Sequence, residues 1–210
     1  LDGYAIRLFR SNYNVVYNNF ISDNWEGVFL WDSLNNTIEN NNITDNLGSG
    51  IVLSRSNNTL IKNNNIVNNG YVQVPPYPGL IYGAGIEIRE STNNKIWHNN
   101  FIQNTPQVDS DNSSNIWNNG YPSGGNYWSN YIGTDLFSGL YQNETGCDGI
   151  GDISYVIDGN SRDNYPLMGP FNTFDAGVWN GVAYKVDVIS NSTVSNFHFI
   201  PEEGAFISFN

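Results

Sequence analysis

The residues best suited to chemistry lie in the run CDGIGDISYVIDGN (147–160). Asp148 and Asp152 flank a Gly-Ile-Gly turn, Asp135 precedes them, and Asp158 and Asp163 follow. Calcium takes about six to eight oxygens from carboxylates, carbonyls and waters, and glycine lets a short loop wrap round the ion. The expected ligands are therefore Asp135, Asp148 and Asp152 with the Ile150 carbonyl, and Asp158 and Asp163 stand behind them. The same residues have a structural alternative, because Asp side chains cap turns by accepting hydrogen bonds from nearby backbone N–H groups. Either way the role is structural. A second chemistry is open to Phe9, Phe29 and Trp31, whose rings could stack on sugars; cross-strand pairing within a sheet would use the same rings.

The elements that must hold these residues come from a repeat. AIRLFRSNYNVVYNNFISDN (5–24), GVFLWDSLNNTIENNNITDN (27–46), GIVLSRSNNTLIKNNNIVNN (50–69) and GIEIRESTNNKIWHNNFIQN (85–104) align without a gap. Their starts lie 22, 23 and 35 residues apart, and the last spacing is a normal turn plus a proline-containing loop inserted at 71–84. Ile6/Val28/Ile51/Ile86 and, two residues on, Leu8/Leu30/Leu53/Ile88 have strand periodicity. Ser11/Ser33/Ser56/Ser91, Val16/Ile38/Ile61/Ile96 and Ile21/Ile43/Ile66/Phe101 return at fixed places as well. Two polar places recur in every unit, one held by Asn19, Asn41, Asn64 and Asn99 and the other by Asn24, Asn46, Asn69 and Asn104. Runs of Asn form helix poorly. Short strands with Asn/Ser/Gly turns every 22–23 residues predict an all-β, right-handed parallel β-helix in which each unit is one coil. The eight asparagines are expected at coil corners, where Asn tolerates left-handed backbone and can bond to the coils above and below as a structural ladder.

Coils are expected over 1–119, with Val108 and Ile116 pointing inward in a degenerate fifth turn. GYPSGGNYWSNY (120–131) reads as the start of a Gly-, aromatic- and Asp-rich cap that occupies 120–171 and cannot continue the ladder. Residues 172–210 alternate like strands of a small antiparallel, sandwich-type module, which three strands leave incomplete. The chain opens directly on a repeat, so its natural N-terminus, with any export signal, is expected upstream.

Composition excludes several classes. Eight Lys and Arg against 20 Asp and Glu give a net charge of -12, which repels phosphate backbones and argues against nucleic acid as a partner. Thirty-seven Asn dominate the polar residues, but regularly spaced apolar residues argue against disorder. No apolar run approaches the roughly 18 residues of a membrane span. Cys147 is alone and cannot form an internal disulfide. Sequons occur at Asn35, Asn42, Asn57, Asn112, Asn143 and Asn191, candidates for N-glycosylation in an exported protein. A glycosidase needs two carboxylates about 5–10 Å apart. Asp32 and Glu87 or Glu90 lie two coils apart with Arg55 between them, so they read as a neutralised charge ladder and no catalytic residue is assigned.

GGNYWSNYIGTD (124–135), CDGIGDISYVIDGN (147–160) and RDNYPLMGP (162–170), together with the coils, resemble archaeal extracellular NosD-like β-helix proteins over about residues 1–171. The tail from Phe174 resembles the front part of a β-sandwich module that follows such helices. The resemblance implies an extracellular, cell-surface protein without enzymatic activity. The copper role attached to the family label is not expected here: His98 and His198 fall in different predicted domains, and Cys147 and Met168 are near neither in sequence. The resulting expectation is a non-catalytic, calcium-stabilised spacer or self-assembling subunit. Its partners would be copies of itself or other surface-layer or matrix components, reached by strand addition through 204–210. The alternative is a polysaccharide-binding or polysaccharide-cleaving β-helix.

Overall fold

A computed structural model describes residues 3–70, 72–73 and 81–171; the expected antiparallel module at 172–210 lies outside the described residues. The first coil supplies β1 (Tyr4–Phe9), β2 (Val15–Tyr17) and β3 (Phe20–Ser22), and the second supplies β4 (Glu26–Trp31), β5 (Thr37–Glu39) and β6 (Asn42–Thr44). The third carries β7 (Ile51–Ser54), β8 (Leu60–Lys62) and β9 (Asn65–Val67). Two short strands of the insertion, β10 (Val72–Gln73) and β11 (Ile81–Tyr82), pair antiparallel. The fourth coil has β12 (Ile86–Arg89), β13 (Lys95–Trp97) and β14 (Asn100–Ile102), and the fifth has β15 (Val108–Ser110) and β16 (Tyr127–Trp128).

Corresponding strands of successive coils pair in parallel, in the orders β1-β4-β7-β12-β15, β2-β5-β8-β13 and β3-β6-β9-β14-β16. The register is that of the sequence repeat: Ile6 faces Val28, Val28 faces Ile51, and Ile86 continues the row. Ile38, Ile61 and Ile96 form a second fully buried row, and Ile43, Ile66 and Phe101 a third. Each buried Ile contributes on the order of 1.5–3 kcal/mol, so these rows supply the main apolar drive for stacking.

Both asparagine ladders form, but their place at the corner is a correction. The left-handed backbone expected of the ladder asparagines belongs instead to the residue before each one. Asn18, Asn40, Asn63 and His98 have φ between 56° and 57°, just ahead of Asn19, Asn41, Asn64 and Asn99. Asp23, Asp45, Asn68 and Gln103 do the same for Asn24, Asn46, Asn69 and Asn104, with Asp45 at 55° immediately before Asn46. The physical reason is a division of labour. The preceding residue makes the turn on the outside, and the next side chain is thereby directed inward, where it can bond between coils. Asn19 N donates to Asn41 Oδ1 at 3.0 Å, Asn41 N to Asn64 Oδ1 at 2.9 Å, and Asn64 N to Asn99 Oδ1 at 3.0 Å. In the second ladder Asn24 N donates to Asn46 Oδ1 and Asn46 N to Asn69 Oδ1, both at 3.1 Å, and Asn69 N donates to Asn104 Oδ1 at 2.9 Å. Asn46 is 2% exposed, and its amide also donates to the carbonyls of Ile21 and Thr44. At the far end Asn104 passes its amide to Gln107 Oε1 at 2.8 Å, so a glutamine takes the fifth place in that row.

The fifth coil corrects two further expectations. Ile116 bridges to Lys95 and is 43% exposed, whereas its neighbour Trp117 is 1% exposed. The bridge sets Trp117 beside Ile96, so the indole fills the inward place. The run 120–131 does not leave the ladder either. Asn126 Oδ1 accepts from Asn99 N at 3.1 Å, and Trp128 lies in register with Phe101. The cap then closes the end with aromatic rings: Phe101 stacks on Trp128 and Trp128 on Tyr155, each pair at 4.2 Å. Two small antiparallel pairs, β17 (Phe137–Ser138) with β18 (Glu144–Thr145) and β19 (Tyr155–Val156) with β20 (Arg162–Asp163), complete it.

Candidate functional site

The cap brings Asp135, Asp148 and Asp152 into one loop cluster, with each carboxylate accepting backbone hydrogen bonds. Asp135 accepts from Asp148 N at 3.1 Å and Gly149 N at 2.8 Å. Asp148 accepts from Ile150 N at 3.0 Å, from Gly139 N at 3.3 Å and from the Gln142 side-chain amide at 3.0 Å. Asp152 accepts from Leu136 N at 2.9 Å and Phe137 N at 3.0 Å, which ties the start of β17 to the Gly-Ile-Gly turn. Burial pushes the Asp135 carboxyl up to about 6 and the charges of Asp148 and Asp152 add to this, against the two N–H bonds. Ile150 is buried and bridges to Leu167.

The other two acids have separate places. Asp158 caps its own turn by accepting from Asn160 N at 2.7 Å. Asp163 is fully buried at the end of the solenoid, accepting from Asn126 N at 2.7 Å, Trp128 Nε1 at 3.0 Å and Tyr165 N at 3.1 Å. Burial raises it to about 7, and those donors pull the other way.

Phe9, Phe29 and Trp31 do meet on the outward face of the first sheet, but Phe29 is buried, with Tyr4 packed on it, and so is not free to stack on a sugar; Trp31 is half-buried and Phe9 exposed. Phe9 and Trp31 are in register on β1 and β4 with centroids 6.2 Å apart, and Phe29 lies 6.0 Å from Trp31. Tyr4, which spacing did not single out, packs on Phe29 at 4.6 Å. Four guanidinium-to-ring contacts thread this face: Arg7 over Tyr4 and Phe9, Arg10 over Phe9, and Arg55 over Trp31, at 5.0 to 5.4 Å. On the same sheet Asp32 lies between Arg10 and Arg55, and Arg89 contacts both Glu87 and Asp109, but among the described residues no ion pair joins Arg55 to Glu87 or Glu90, against the sequence expectation; on the second sheet Lys62 pairs with Glu39.

Sequence reasoning missed Glu26. Its carboxylate accepts from Ser49 N at 2.7 Å, and the Ser49 hydroxyl donates to Glu87 at 3.0 Å, so two acids from different coils share one serine. Burial pushes Glu26 up to about 7, and Glu87 adds to this. Only the packing of neighbouring coils creates that arrangement. Two ladders were missed although their spacing is visible. Asn14, Asn36, Thr59, Asn94 and Asn115 hold the places of one, where Asn14 N donates to Asn36, Thr59 N to Asn94 and Asn94 N to Asn115, and the row is broken between Asn36 and Thr59. Gly27, Gly50 and Gly85 form the other: a Cβ on Gly50 would come 2.8 Å from the Gly85 carbonyl and 3.0 Å from the Asn69 amide.

Among the sequons, Asn112 and Asn143 are exposed, Asn35, Asn42 and Asn57 are partly buried, and Asn191 lies outside the described residues. Asn57 Oδ1 also accepts from Thr92 N at 2.7 Å.

Residues 2–133 match the family model described as periplasmic copper-binding protein (NosD). No curated protein and no solved structure matches the chain. Copper selects imidazole and sulfur donors, and the described residues do not fit it. His98 places Nε2 2.8 Å from the Ser123 carbonyl, and its ring stacks on Phe171 at 4.0 Å. Burial lowers its pKa. Cys147 sits in the separate Asp-rich loop, and among the described residues no group of three His, Cys, Asp or Glu side chains is placed to hold a metal.

Proposed function

The chain belongs to the NosD family, and from that premise we propose that it is a non-catalytic structural protein of the cell surface, a rigid β-helical spacer or assembly subunit. The observation that carries this reading is the pairing of charge along the wall. Asp32, Glu39, Glu87 and Asp109 are each ion-paired with an Arg or Lys. The hydrogen bond from Arg55 holds the Asp32 carboxyl below the usual carboxylate range, which works against the proton donor that glycoside hydrolysis requires. Of the described coil carboxylates outside these pairs, Glu26 is the one that burial raises to about 7, and it supplies a direct check: new reducing ends from a polysaccharide, lost in Glu26→Gln, would overturn the reading.

Calcium belongs to the same proposal. Asp148 and Asp152 raise the cost of charging Asp135, and although the three carboxylates do not converge as a ready-made ligand set among the described residues, a divalent cation drawn to the loop would relieve that cost. Assembly through 204–210 rests on the sequence pattern alone. Sedimentation velocity, in calcium and then in excess chelator, tests both. The expected result is large particles that dissociate on chelation and are absent when Ala205–Asn210 is deleted. A monomer in both conditions would retire assembly, and an unchanged melting temperature on chelation would retire calcium.

A second reading has its own observation. Tyr4 and Phe9 are 44% and 47% exposed, with Arg7 between their rings. Their grouping with Trp31 favours a carbohydrate platform.

A further inference from the structure

The aromatic face is set apart by its charge. In a chain with eight basic and 20 acidic residues, Arg7, Arg10 and Arg55 gather on the first three coils around Tyr4, Phe9, Phe29 and Trp31. Among the described residues, the one carboxylate in ion-pair contact with these three is Asp32, at 2.7 Å from Arg55 and 3.6 Å from Arg10. Arg7 and Arg10 are exposed, the Arg10 side chain at 71%. Beyond the second coil the outward places pass to Val52 and Ser54, then Glu87 and Arg89, then Asp109. The cationic, aromatic patch is therefore local.

Two physical requirements converge here. A pyranose ring stacks its C–H face on an exposed aromatic ring; Tyr4 and Phe9 are 44% and 47% exposed, and the half-buried Trp31 lies one coil on from Phe9. A guanidinium stacked on ring faces keeps its N–H edge free, and that edge matches a planar carboxylate through two parallel hydrogen bonds. Arg7 is so placed, between Tyr4 at 5.4 Å and Phe9 at 5.3 Å.

We propose that the outward face of β1 and β4 binds an acidic polysaccharide, with Tyr4, Phe9 and Trp31 carrying the sugar rings and Arg7 and Arg10 holding uronate carboxylates. This rests on the carbohydrate reading of the same face and adds the class of sugar. Charge complementarity chooses the polymer: an acidic glycan would pair with the guanidinium edges, and in a chain of net charge -12 a local cluster of three arginines is where a polyanion is favoured.

Affinity electrophoresis of the full chain through gels carrying polygalacturonate, its fully methyl-esterified form or dextran sulfate tests the assignment. Retardation by polygalacturonate is expected to exceed that by the ester about tenfold or more, the ratio of one lost bidentate pair. Arg7→Gln should remove most of that difference, and Phe9→Ala or Trp31→Ala should weaken retardation by both forms. Arg162→Gln, on β20 in the cap, should change neither. Equal retardation by acid and ester, sensitive to Trp31→Ala but not to Arg7→Gln, would keep the carbohydrate platform and overturn the uronate assignment. Retardation by neither would overturn both. Dextran sulfate retarding the chain as strongly, with no effect of Trp31→Ala, would reduce the face to general anion attraction and overturn the proposal.

Discussion

Glu26 is the residue where placement most changes chemistry. It faces Tyr4 in register on the neighbouring strand, its carboxylate is tied to Ser49 N, and Glu87 is reached through the Ser49 hydroxyl. Burial, aided by Glu87, raises its folded-state pKa from 4.5 to about 7. The unfolded chain therefore loses this proton first, and ionisation favours unfolding. Stability should fall as pH rises from about 4.5 to about 7 and level off above, by roughly 1–2 kcal/mol once solvent screening of a partly buried group is allowed for. Urea denaturation across that range is expected to show the slope in the natural chain and a flatter profile in Glu26→Gln, which keeps an acceptor for Ser49. An identical slope in both would assign the pH dependence to other carboxyls. The sequence offered no route to this. Glu26 lies outside the gapless repeat, and nothing in its spacing marks it as a neighbour of Glu87.

At the scale of the element, the ladder is the unit that holds coil to coil. Asn64 donates to the carbonyls of Ile38 and Lys62 and to Asn99 Oδ1, each at 2.9 Å, and accepts from Asn41 N. Asn64→Ala strips partners from buried groups, each costing about 1–3 kcal/mol. A loss of about 3 kcal/mol in unfolding free energy is expected. Asn19→Ala, at the exposed end of the same ladder, should cost less than about 1 kcal/mol, because water replaces what is lost. Comparable losses at the two positions would show that the ladder's depth does not matter. The ladders begun by Asn19 and Asn24 were legible because type and spacing recur together. Which residue of each corner takes the left-handed turn was not, since Asp45 and Asn46 are both residue types that tolerate it and only the backbone separates them. The ladder at Asn14 was obscured by Thr59, and the glycine row looked like turn composition until Gly50 proved to lie under the Gly85 carbonyl. Ile116 and Trp117 show the limit of pattern. Both are apolar, and only the bridge to Lys95 decides which one turns inward.

The whole molecule is a stack that needs a stopper, and Asp163 holds it in place. Fully buried, it joins the last ladder asparagine, the Trp128 indole and Tyr165 through one carboxylate. Asp163→Ala should cost about 3 kcal/mol or more, since two buried donors and one part-buried donor lose their acceptor. It should also red-shift tryptophan fluorescence as water reaches Trp128 and Trp117, and a native-like spectrum with unchanged stability would mean that the aromatic stack closes the end unaided. By itself the sequence determined the parallel β-helix, its register and its apolar rows, because a stacked coil repeats one environment every 22 or 23 residues and selects the same residue types each time. It also gathered the acids of the cap loop and the rings of the outward face. Only the tertiary structure decided that Asp135, Asp148 and Asp152 bond to backbone amides of one cluster while Asp163 is drawn into the core. The cap occurs once, so no repetition reveals its contacts, and its geometry follows from how a single irregular segment satisfies the open end of the solenoid.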